Sequence, residues 1–140
     1  MFKIDIIPHT LRFIDPAGTS RGVYNEHKVW YVIFRNQHDQ SHYGIGECAP
    51  LKDLSCDYDK DYENRLVDFC RKTEEKQVID SNQLRNHPSI LFGLETAMRH
   101  YKQRTWQLWD TPFSRGEEGI IINGLIWMGS FKEMKTRIER

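Results

Sequence analysis

The chain has 140 residues, with 20 Lys and Arg against 20 Asp and Glu, so its formal net charge is zero. That length makes one ordinary domain with room for a real core, and the even balance gives no basic face for nucleic acid or an anionic membrane. Three cysteines, Cys48, Cys56 and Cys70, form no Cys-x-x-Cys, which argues against a disulfide framework or a structural zinc site.

Phe2, Ile4 and Ile6 alternate with Lys3 and Asp5, and Leu11 and Phe13 resume the alternation, predicting a strand near 2–13 that bends at Pro8. A loop is expected from Asp15 to Gly22. Val29-Trp30-Tyr31-Val32-Ile33-Phe34 predicts a central strand over 28–36 covered on both faces. The polar run Asn36–Gln40 then turns the chain into a strand near 41–47, and His38 and His42 read as solvated loop residues rather than metal ligands. Gly44-Ile45-Gly46-Glu47-Cys48-Ala49-Pro50-Leu51 ends this strand. Its glycines permit close backbone approach, and Pro50 stops the ladder because it has no N–H.

After Leu51 the period becomes helical. Tyr58, Tyr62, Leu66, Phe69 and Cys70 predict a helix over 57–76, capped by Ser55 or Asp57, with carboxylates at the positive end of its dipole. Asp57, Asp59 and Asp61 imitate a calcium loop, but Tyr62 stands where the sharp turn needs glycine. Pro88 opens a second helix, 88–103, with Ile90, Leu94, Ala97, Met98 and Tyr101 on its apolar face. Ile120–Met128 is apolar on both faces and predicts a buried parallel strand. Ser130 and Glu133 form a capping-box signature that opens a last helix, Phe131 to Arg140. No apolar run approaches a bilayer span and no basic-then-apolar leader precedes the first strand, so no membrane segment and a cytoplasmic location are expected.

The order of these pieces resembles the N-terminal part of the enolase superfamily, in its muconate-cycloisomerase-like subgroup, with the o-succinylbenzoate synthase family as the nearest likeness. The likeness is carried by Pro16–Gly22, by Gly46–Leu51 with Leu54-Ser55, by Pro88-Ser89-Ile90-Leu91-Phe92-Gly93-Leu94-Glu95-Thr96-Ala97, and by Ile122–Gly129. It implies an α+β fold: a three-stranded antiparallel meander followed by helices, as a capping domain over 1–115, with the first βα unit of a truncated TIM-type barrel over 116–140.

The resemblance further implies a magnesium-dependent parent enzyme. It would remove a proton α to a carboxylate and lose water to give o-succinylbenzoate, on the menaquinone pathway. Magnesium neutralises the developing enediolate, and a lysine moves the proton. In the family those lysines and the carboxylate ligands sit on later barrel strands, first as a Lys-x-Lys. No Lys-x-Lys occurs here, so no residue of this chain is expected to be catalytic or to hold a metal, and the chain alone is expected to be inactive. What carries over is a specificity role for two loops. Gly18, Thr19, Ser20 and Arg21 belong to one, Cys48 and Leu51 to the other, and Asn123 sits on the first barrel strand. Arg21 suits a small acidic substrate through bidentate contact. The expected partners are that substrate, the remaining barrel and, through 120–128, a second copy of the chain. Within the superfamily the alternatives are a muconate cycloisomerase, an N-acylamino acid racemase or a dipeptide epimerase. Outside it, the alternative is a stand-alone α+β binding module.

Overall fold

The computed structural model describes residues 1–19 and 21–139. In chain order it contains β1 (Phe2–Thr19), β2 (Gly22–Asn36), β3 (Tyr43–Cys48), α1 (Tyr62–Lys76), α2 (Pro88–Gln103) and α3 (Phe131–Ile138). The strands form one antiparallel sheet with β2 in the middle. Against β3, Trp30 of β2 faces Cys48, Val32 faces Gly46 and Phe34 faces Gly44. The chain divides into two compact units, one of Met1–Leu11 with His27–Leu108, the other of Arg12–Glu26 with Trp109–Arg140.

The first unit holds the core. Period-two alternation turns Trp30, Val32 and Phe34 to one face of β2. There they pack with Phe2, Cys48, Tyr62, Leu66, Cys70, Leu84, Ile90, Leu94 and Ala97. Val29 and Ile33, on the opposite face, are buried as well, as expected for the central strand.

Where β3 meets α2, side chains are almost absent from the contact. A Cβ on Gly46 would overlap the carbonyl oxygen of Gly93, and one on Gly44 would overlap the carbonyl oxygen of Ala97 and the amide of Tyr101. Strand backbone therefore lies directly on helix backbone, an approach that only glycine allows. His100 seals this contact from the helix side. It is buried, and its Nδ1 accepts the Ile45 N–H at 3.1 Å, which fixes the ring as the Nε2–H tautomer.

The outer edge of β1 is closed at its start. Gln77 accepts from the Phe2 amide at 2.8 Å and donates to the Phe2 carbonyl at 3.0 Å, while Glu74 accepts from the Ile4 amide.

Several expectations are corrected. The helix predicted from residue 57 begins at Tyr62, because Asp59 Oδ1 accepts the Asp61 amide at 2.8 Å and holds a local turn that competes with helix. Neither Ser55 nor Asp57 caps it. His42 is not a solvated loop residue. It stacks on Tyr101 with centroids 4.1 Å apart, donates from Nε2 to the Tyr101 carbonyl, and accepts at Nδ1 from Arg104. The loop expected over 15–22 is mostly strand, since β1 runs to Thr19 and β2 starts at Gly22.

In the second unit the strand expected over 120–128 is absent. A strand needs a neighbour to complete its ladder, and residues 119–130 have no strand partner among the described residues. Trp127 is the half-buried exception: its indole N–H donates to the Pro16 carbonyl at 3.3 Å, and its ring centroid lies 6.3 Å from that of Phe13. Ile121 (102% exposed), Ile122 and Leu125 lie open. The capping box forms as read, with the Ser130 amide donating to Glu133 at 2.7 Å and the Glu133 amide to Ser130 Oγ at 3.3 Å. No described helix is long and apolar enough to cross a membrane.

Candidate functional site

The loop after β3 is rigid at both ends and open at its tip. At its start, Pro50 is buried, and its carbonyl accepts from His27 Nε2 at 3.1 Å. A carbonyl only accepts, so that ring nitrogen carries the proton. Within the tip, the Leu51 amide donates to Ser55 Oγ at 2.9 Å, and the Ser55 amide returns to the Leu51 carbonyl at 2.9 Å. Leu51 (40% exposed) and Leu54 (42%) then present apolar surface outward.

At its far end, Asp57 is buried, and its Oδ2 accepts from the Ser89 amide at 2.9 Å and from Ser89 Oγ at 2.5 Å. Ser89 spends its one hydroxyl proton there, so the Tyr62 hydroxyl, 2.7 Å away, donates to Ser89 Oγ. The residue before Pro88 gives α2 no side-chain cap. Asp57 supplies one from 32 positions upstream, placing a carboxylate at the helix N-terminus where the dipole favours it. Arg65 holds the same turn, donating to the Asp57 carbonyl at 3.0 Å and meeting Asp59 Oδ1 at 2.9 Å.

Burial pushes the Cys48 thiol up to about 12. Burial, then the neighbouring Cys48, pushes the Tyr62 phenol up as well. Both stay protonated at neutral pH, so neither of these two groups is a nucleophile, and Leu51 and Leu54 give the loop its apolar surface. Cys48 itself is fully buried with its sulfur against Gly93. As the last residue of β3 its alternation turns it inward, which corrects its reading as a surface residue of the loop.

The other loop lies in the second unit. Thr19 Oγ1 accepts the Arg21 amide at 3.1 Å and donates to the Gly22 carbonyl at 3.2 Å. Its single proton is thus committed inside the turn and is not left for a ligand. Gly22 sits at φ +150, a conformation that favours glycine. Gly18 is held close to Met128, whose Cε would lie 3.2 Å from an added Cβ. Arg21 and Asn123 are exposed. Ser20 lies outside the described residues. Gly18, Thr19, Arg21 and Asn123 thus share one unit, and Cys48 and Leu51 belong to the other.

The donor groups do not fit a metal centre. No three His, Cys, Asp or Glu side chains converge among the described residues. Asp57 and Asp59, the first carboxylates of the calcium-like run, are already engaged by Ser89 and Arg65.

The chain is 30% identical, over 161 aligned residues, to o-succinylbenzoate synthase from Desulfotalea psychrophila, an alignment covering 92% of this chain and 43% of that protein. The chain resembles the o-succinylbenzoate synthase family. Its fold also matches part of the crystal structure of MenC from the same organism, with a TM-score of 0.61 at 20% identity, covering 99% of this chain and 45% of that one. No family model matches. The chain thus spans less than half the length of the relatives it matches, and it shares their α+β fold of a three-stranded antiparallel sheet followed by helices.

Asp57 was read from sequence as a cap for the helix that follows it, Ser89 only as part of a motif, and none of Asp57, Ser89 and His27 as a residue that fixes the loop. Their partners lie 32 and 23 positions away, and nothing local in the sequence marks such pairs.

Proposed function

We infer that this chain is the capping domain of an o-succinylbenzoate synthase-like lyase, acting in menaquinone biosynthesis. The observation that carries the reading is the 30% identity over 92% of the chain to less than half of that enzyme. In this reading residues 1–115 form the capping domain and 116–140 begin a barrel. The barrel supplies the acid/base lysines and the magnesium that stabilises the enediolate. This chain supplies none of them and limits access to the reacting carbon.

The residues fit that limited role. Arg21 is an exposed guanidinium on a short turn, suited to a substrate carboxylate. Gly18 and Thr19 shape its turn, Leu51 contributes an apolar wall, and Asn123 offers an exposed amide. The loop of Leu51 is held in place before any ligand arrives, which lowers the ordering cost of binding. Without the barrel, the open segment 120–128 is expected to pair with its copy in a second chain, because an unpaired apolar segment recruits others.

The test is a chimera in which this chain replaces the matched segment of the Desulfotalea psychrophila enzyme. The expected result is dehydration of the cyclohexadiene substrate well above a barrel-only control, with the 140-residue chain alone inert. A folded but inactive chimera overturns the reading. In an active chimera, Arg21→Ala is expected to lower kcat/KM by about 10–100-fold, the worth of a charged hydrogen bond. An unchanged value removes Arg21 from the site.

A further inference from the structure

A groove of about 410 Å³ lies wholly within the second unit, lined by Arg12, Phe13, Ile14, Asp15, Trp127 and Arg137. Its volume falls in the range of small-molecule sites, and its chemistry is specific. Two guanidinium groups stand beside two aromatic rings whose centroids are 6.3 Å apart. Trp127 has its indole N–H satisfied by Pro16, so what remains of that ring is apolar wall. Arg137 is oriented by its own chain, donating from Nη1 to the carbonyls of Trp127 and Met128. Its planar fork is therefore already placed, at reduced entropic cost, with the Glu133 carboxylate close beside it. Arg12 is exposed and makes no hydrogen bond or ion pair among the described residues.

We propose that this groove binds a small aryl monocarboxylate, with the ring against Phe13 and Trp127 and the carboxylate on Arg12 and Arg137. A guanidinium presents parallel N–H donors that match a carboxylate, and it stacks on aromatic faces as an ammonium does not. Asp15 on the rim sets the charge limit. With two cations and one anion lining it, and the Glu133 carboxylate beside Arg137, the groove has no positive charge to spare for a second anionic group, which favours a monoanion over a dianion. The proposal does not rest on the lyase reading, because every group it uses belongs to this chain and to one unit. The groove is also separate from the Thr19–Gly22 turn that carries Arg21.

The test is a titration of the isotopically labelled 140-residue chain, following the Trp127 indole N–H and the Arg12 and Arg137 side-chain signals. Three probes separate the contributions: benzoate, benzyl alcohol (ring without charge) and acetate (charge without ring). Saturable shifts at these signals are expected with benzoate only. Arg12→Gln, which breaks no contact in the fold, is expected to weaken benzoate about tenfold, the loss of one charged hydrogen bond. Asp15→Asn is expected to tighten benzoate severalfold by removing a like charge. Equal responses to benzoate and benzyl alcohol, or an Arg12→Gln variant that binds benzoate unchanged, would overturn the proposal. Its failure leaves the chimera experiment unaffected, and the converse also holds.

Discussion

The contact between β3 and α2 and the stretch 119–131 are opposites. The first is nearly bare of side chains and brings backbone onto backbone, with Gly44 and Gly46 laid on the backbone of Gly93 and Ala97. The second carries Ile120, Ile121, Ile122, Leu125, Ile126, Met128 and Phe131, all exposed. Apolar residues in a run do not make a strand. A partner surface does, and the partner is best when it lets backbones close together.

The largest expected effect separates the cysteines. With its thiol pushed up to about 12 by burial, Cys48 carries about a thousandfold less thiolate near neutral pH than a thiol of ordinary pKa. Alkylation followed by peptide mass analysis is expected to modify exposed Cys56 and to spare Cys48 and Cys70 until the chain is unfolded. The sign for stability follows. The fold keeps the Cys48 proton, so its contribution is complete below the ordinary thiol value and declines as pH rises from there towards about 12. Rapid native labelling of Cys48 would break the picture of a closed β3–α2 contact.

Next is Gly46→Ala. The added methyl would overlap the Gly93 carbonyl and the Ala97 amide nitrogen, so the backbones must separate, at an expected cost of about 3 kcal/mol by urea denaturation. Gly124→Ala is the matched control, since nothing lies within 4 Å of its added Cβ, and no loss is expected. Equal losses at the two positions would erase the comparison.

Asp57→Ala should cost less, about 1–3 kcal/mol, because it leaves the Ser89 amide and hydroxyl without their acceptor. Faster hydrogen exchange at Ser89 and Ile90 would report the same loss locally. The smallest effect on stability belongs to Ile121→Lys, expected within about 0.5 kcal/mol of zero because the side chain touches nothing. Its consequence should instead be seen by sedimentation, as a weaker tendency of the chain to pair with its copy. Unchanged association would remove 120–128 from that contact.

These differences also explain what could be read from the sequence. The central strand, β3 and α2 were legible because their alternation or helical period coincides with burial in one core. The start of α1 was misplaced because Asp57 and Asp59 are committed elsewhere, to Ser89 and to a local turn. The stretch 15–22 was read as loop from Pro16, Gly18 and Gly22, yet a neighbouring strand supplies a ladder without needing apolar residues. Residues 120–128 gave the opposite error, strong composition with no neighbour. In the candidate site, Leu51 and Arg21 are exposed while Cys48 is buried, because strand alternation decided its direction.

The closed edge of β1 has a further consequence for how the sheet meets other chains. On one edge of a strand the outward amides recur every second residue, so Phe2, Ile4, Ile6 and Pro8 stand in one row. Gln77 and Glu74 occupy the first two, and Pro8 has no N–H to give. Only Ile6 is left as an outward donor on that stretch, too few for an incoming strand to take register. The start of β1 therefore resists the addition of a further strand along that edge.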